Sequence, residues 1–99
     1  MKYEELVNKE RVLAEFLELI RIPCSTHDER EVGDLLTKRL QELGGTVHED
    51  RAGEALGGNC GNLVADFPAT AGLEALPTVM LTAHMDCVEP CAGIRPVIE

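Results

Sequence analysis

A histidine and an aspartate one residue apart, His84-Met85-Asp86, follow the apolar run Thr78-Val79-Met80-Leu81-Thr82-Ala83. In extended backbone, residues i and i+2 point to the same side, so the imidazole and the carboxylate can lie together. A zinc-binding histidine commonly gives its other ring N–H to a carboxylate, which fixes the tautomer and raises its basicity. The carboxyl ends of strands in open α/β sheets are also where ligands bind. His84 is therefore the candidate metal ligand, and Asp86 the candidate catalytic-site carboxylate that orients it. Taken alone, His-x-Asp also suits an ordinary polar strand end.

The other ligand types are scattered. His27 falls at a helix start and His48 in a short strand, while Asp28 to Glu31 read as a helix start with a solvated face. Cys87 and Cys91 admit two readings: soft ligands that join His84, since Cys-x-x-x-Cys spacing lies within the range for zinc, or a small apolar residue and a loop residue. Cys24 and Cys60 read as ordinary small residues. Gly57-Gly58-Asn59 lacks the following Lys and Ser/Thr of a phosphate loop and reads as a turn feeding the next strand.

Two helices must position these groups. Asn8 is a good N-cap, and Val7 with Val12 fits a hydrophobic staple. Val12, Leu13, Phe16, Leu17 and Ile20 then recur at helical spacing, which predicts one buried face, until Pro23 stops the run. Thr26 and Glu29 form a Thr-x-x-Glu capping box for a second helix, with an apolar stripe of Val32, Leu35, Leu36, Leu40 and Leu43 and a C-cap at Gly44-Gly45. After that the period changes. Thr46 to Glu49 reads as a short strand, Ala52 to Gly61 as a glycine-rich loop, Asn62 to Phe67 as a strand, and Thr78 to Ala83 as a strand buried on both faces. The expected order is ααβββ, an α/β arrangement with an incomplete sheet whose last strand needs cover from another layer.

The bulk numbers bound the function. Ninety-nine residues with 44% hydrophobic and 27% charged suit one small domain with a thin, aromatic-poor core. Eighteen acids against nine bases give a net charge of −9, which opposes nucleic acid and anionic membrane surfaces as partners. The N-terminus Met-Lys-Tyr-Glu-Glu has no signal-peptide pattern, and no apolar run reaches the roughly 20 residues of a membrane span. Four irregularly spaced cysteines then read as reduced thiols of a cytoplasmic protein.

Leu81 through Pro90, continuing to Gly93-Ile94-Arg95-Pro96, resembles the first metal motif of peptidase T and its relatives. Gly57 through Leu63, Leu17 through Pro23 and Ser25 through Glu31 also match these enzymes, so the resemblance runs in register over nearly the whole chain. It implies a dinuclear zinc exopeptidase with an α/β/α catalytic domain and a smaller lid or dimerisation domain, releasing an N-terminal residue from short peptides. His84 would be a ligand of one of the two zinc ions and Asp86 the carboxylate that orients it. The family's bridging Asp, general-base Glu and remaining ligands would fall beyond residue 99. Cys87 and Cys91 depart from the family's usual Thr and Gly, and a positive φ at the latter position would strain Cys91.

Residues 1–99 are thus expected to be the N-terminal portion of a metallopeptidase catalytic domain. Zinc sites need three or four protein ligands, so this portion should be inactive alone. An amidohydrolase or deacylase of the same superfamily is the neighbouring alternative. A non-catalytic remnant that acts through self-association or a complementary chain is the alternative from another class.

Overall fold

Asn8 begins the first helix as its side chain requires. Its Oδ1 accepts from Arg11 N at 3.0 Å, and α1 runs Lys9–Leu19. The computed structural model describes residues 2–99, and a 3-10 turn at Tyr3–Leu6 precedes α1. The apolar stripe of α1 is covered along one edge only. Leu17, Leu19 and Ile20 are half-buried, whereas Val12, Leu13 and Phe16 remain exposed. The expected buried face therefore does not form, because no second layer lies over Val12 and Phe16.

The second helix, α2, spans Arg30–Glu42 and starts later than the capping box predicts. Glu29 at its N-cap makes no side-chain cap bond. The first helical amide, Arg30 N, is satisfied from far along the chain by Asn59 Oδ1 at 3.1 Å. Asn59 Nδ2 also donates to Asp28 Oδ1 at 2.6 Å, and Asn59 N to His27 O at 3.2 Å. His27, expected in the helix start, instead occupies the left-handed region at φ 72° just before it. The Gly57-Gly58-Asn59 turn thus works as a remote cap. Arg39 ties α2 to α1 by donating to Glu18 Oε2 at 2.6 Å and to Glu15.

Strand β1, Thr46–Glu49, pairs antiparallel with β2, Leu63–Asp66, in the register Val47↔Ala65 and Glu49↔Leu63. Period-2 alternation puts Val47, Leu63 and Ala65 half-buried on the face towards α2 and leaves His48 and Val64 in solvent. Glu49 shares the inner face and accepts from Arg30 Nη1 at 2.9 Å and Nη2 at 2.6 Å. A short helix, α3, Ala52–Ala55, replaces the start of the expected glycine-rich loop. Asp50 fixes both ends of that connection: Oδ1 accepts from Ala52 N at 3.0 Å and Asn62 N at 2.8 Å, and Oδ2 from Asn62 Nδ2 at 2.8 Å. Gly53 of α3 is buried where any Cβ would fall on the Cys60 carbonyl.

The observed order is ααβαβ, a small mixed helix-and-strand unit with a two-stranded antiparallel sheet. The third expected strand is not paired. Thr78–Ala83 lies outside any sheet, with Val79 81% and Leu81 92% exposed. Its composition is that of a strand covered on both faces, but a strand needs a ladder partner, and none of the described residues supplies one. The buried apolar side chains are accordingly few: Cys24, Val32, Cys60 and Cys91. The radius of gyration, 16.0 Å, exceeds the roughly 13 Å of a compact 100-residue domain.

Candidate functional site

Two segments remote in sequence meet at the candidate site: the loop after α1, residues 23–29, and the segment 84–89. Pro23 ends the helical run, and the backbone then turns so that Cys24 O accepts from Cys87 N at 2.7 Å. That bond brings Thr26 beside Asp86, and Thr26 Oγ1 donates to Asp86 Oδ2 at 2.8 Å. The other carboxylate oxygen, Oδ1, lies 3.5 Å from His84 Nδ1. The i, i+2 spacing therefore does bring His84 and Asp86 to one side, at ion-pair range rather than at the length of an N–H···O hydrogen bond. Asp86 is half-buried, whereas the His84 side chain is 96% exposed.

The pair stands where two clefts meet. An open cleft of about 690 Å³ lies between Ser25–Thr26 and the segment from His84 to Glu89. A second, of about 580 Å³, runs behind it along Leu19, Leu36, Leu40 and Leu56 and also reaches Thr26, His84 and Asp86. One cleft thus offers a polar mouth and the other an apolar groove, with the imidazole at their junction.

Thr26 and Cys24 are the site residues that sequence reasoning missed. Thr26 reads as a helix cap, and nothing local indicates that its hydroxyl serves a carboxylate 60 positions away. Cys24 reads as filler, yet its Sγ lies 2.8 Å from Cys87 Sγ. Burial, then the contact with Cys87, pushes the Cys24 thiol up to about 12. Cys87 is thereby turned towards Cys24 rather than towards His84. Cys91 is 3% exposed and is not among the residues with positive φ, so the expected strain is absent. His27 and His48 lie away from the cleft mouth, one capped by Asn59 and the other on the solvent face of β1.

The donors present fit one corner of a zinc site: an exposed imidazole whose other nitrogen faces a carboxylate. Among the described residues no three His, Cys, Asp or Glu side chains are grouped so as to hold a metal ion. No helix of these residues is long and apolar enough to cross a membrane.

The chain is 37% identical over 94 residues to the uncharacterized protein YqjE of Bacillus subtilis (strain 168), a match covering 95% of this chain and 24% of that protein. It thus spans about a quarter of the length of the curated relative it matches. No family model matches the chain, and no solved structure does.

Proposed function

We propose that this chain carries the first metal-ligand segment of a peptidase T-like zinc hydrolase acting on short peptides in the cytoplasm. His84 binds one of two zinc ions, and Asp86 orients its ring. The observation that carries the reading is the Thr26–Asp86–His84 arrangement at the mouth of a cleft: a hydroxyl holds one carboxylate oxygen at 2.8 Å while the other faces Nδ1 at 3.5 Å. This leaves Nε2 outward for a metal. When bound, zinc supplies Lewis-acid chemistry to peptide-bond hydrolysis. The chain's own part is to set the tautomer of His84 and to hold Asp86 in place through Thr26. A match confined to about a quarter of a longer relative fits a segment that gives one ligand to a larger site within an α/β/α catalytic domain. A deacylase of the same superfamily would use the same pair. The exposed run Val79–Leu81 also favours a second reading, in which another polypeptide covers this segment.

Zinc titration followed by the imidazole NMR resonances tests the assignment. The His84 signals should move at the lowest Zn²⁺ concentration, ahead of those of His27 and His48. Asp86→Asn should weaken that binding by about 10–100-fold, the usual cost of losing a carboxylate behind a ligating histidine, while Cys87→Thr should leave it almost unchanged. Equal response of all three histidines, or loss of binding only in Cys87→Thr, would overturn the assignment. With one such ligand the chain should turn over no tripeptide in added Zn²⁺.

A further inference from the structure

The cysteines around the cleft are not spent by the metal reading. Cys24 and Cys87 stand 63 positions apart in sequence, yet their Sγ atoms are 2.8 Å apart, less than 1 Å beyond the roughly 2.05 Å of a covalent disulfide. The backbone bond from Cys87 N to Cys24 O, at 2.7 Å, sets the two chain segments side by side. Disulfide geometry requires such an approach, with Cα atoms about 4.4–6.8 Å apart. Both thiols are free, Cys24 only 1% exposed and Cys87 half-buried at the cleft wall.

We propose that Cys24 and Cys87 form a reversible disulfide, with hydrogen peroxide as oxidant, that staples the segment carrying His84 and Asp86 to the loop after α1. The chemistry balances in two steps. The Cys87 sulfur attacks one peroxide oxygen, the O–O bond breaks, and water leaves with the thiol proton, giving a sulfenic acid. The Cys24 sulfur then attacks the Cys87 sulfur; the S–O bond breaks, the S–S bond forms, and a second water carries off the hydroxyl and the Cys24 proton. Two thiols and one peroxide become one disulfide and two waters, with two electrons passing from sulfur to oxygen. A dithiol reductant reverses the change by exchange.

The division of labour follows from position. Cys87 borders the cleft and meets the oxidant, while Cys24, buried and held as S–H, is the resolving partner. The bond would close a loop of some 60 residues and fix the two cleft walls to each other. It does not depend on zinc, so its test is separate from that of the metal assignment.

The reduced chain is treated with a small excess of hydrogen peroxide, alkylated without reduction and digested, and its linked peptides are identified by mass. The expected product is a Cys24–Cys87 link, lighter by two hydrogens, that vanishes with dithiothreitol. It should form unchanged in Cys60→Ser and Cys91→Ser and be lost in Cys87→Ser. The melting midpoint should rise on oxidation by at least ~10 °C and fall back on reduction, as expected for closing a loop of this length. A link that runs instead to Cys60 or Cys91, or four thiols that stay free or overoxidise without linking, overturns the proposal. So does a link that leaves the midpoint where it was. Because the mapping uses the unaltered chain, no outcome hangs on whether a cysteine variant folds.

Discussion

Residues 24–66 and residues 67–99 differ in how their polar and apolar groups are satisfied. In the first stretch a remote asparagine caps a helix, an aspartate fixes both ends of a connection, and Arg30 forks onto Glu49. In the second, beyond the turn at 70–76, a single backbone bond among the described residues, from Cys87 N to Cys24 O, ties the chain back to the rest. Met80, Leu81, Val88 and Val97 meanwhile lie in solvent. Apolar composition does not separate the two stretches. What separates them is whether a partner surface is present, for hydrophobic stabilisation counts only surface removed from water. The site straddles this boundary: Thr26 comes from the ordered side and His84 from the other.

The largest effect expected from this contrast is in amide hydrogen exchange. Amides of α2 and β1 should exchange at least ~100-fold more slowly than those of Thr78–Ala83, which have no ladder bonds to break. Repeating the measurement at increasing protein concentration sharpens the comparison. Protection of residues 78–83 that grows with concentration would identify a second copy as the cover for this segment. Protection equal to that of β2 at every concentration would mean the segment is paired within one chain, and the contrast between the two stretches would fail.

A smaller effect separates local from remote information. The pattern Thr-x-x-Glu is a sound N-terminal signal, and in isolation Thr26 and Glu29 would cap a helix. Here Thr26 bonds Asp86, Glu29 Oε1 accepts from His27 N, and Asn59 takes over the cap. Asn59→Ala should therefore cost about 1–2 kcal/mol in denaturant unfolding, the usual loss for a helix cap. Thr26→Ala should cost less than half as much, since its partner is half-buried and can turn to water. The reverse order would restore the local box.

The same distinction explains how much of the molecule was legible. Asn8, the short strand Thr46–Glu49 and the His84–Asp86 juxtaposition rest on spacings of three residues or fewer, and all are present in the structure. The start of α2, helix α3 and the Cys24–Cys87 contact depend on partners far along the chain, which no periodicity reports. Thr78–Ala83 was legible as apolar and extended, but its burial was not, because burial belongs to the covering surface rather than to the run itself.

The smallest expected effect is a pH dependence confined to the ordered stretch. Glu49 is held below the usual carboxylate range first by the hydrogen bonds from Arg30 and then by the Gly61 amide. Asp50 is lowered by the Asn62 side chain first, then by the Ala52 and Asn62 amides. A carboxylate whose affinity for protons is lower in the folded than in the unfolded chain leaves the unfolded state with more bound protons as pH falls. Stability must then fall with pH. The contribution is complete above the unfolded values, about 4.3 for Glu and 3.9 for Asp, and is lost as pH drops through the lower folded values. Relief of repulsion among the excess acids, which set the net charge of −9, acts in the opposite direction over the same window. The difference between the native chain and Glu49→Gln isolates the local part, since both share that background. The two denaturation midpoints should be furthest apart near pH 7 and converge below about pH 4. Midpoints that keep a constant separation from pH 7 to pH 3 would show that the Arg30–Glu49 fork does not hold α2 to the sheet through its charge.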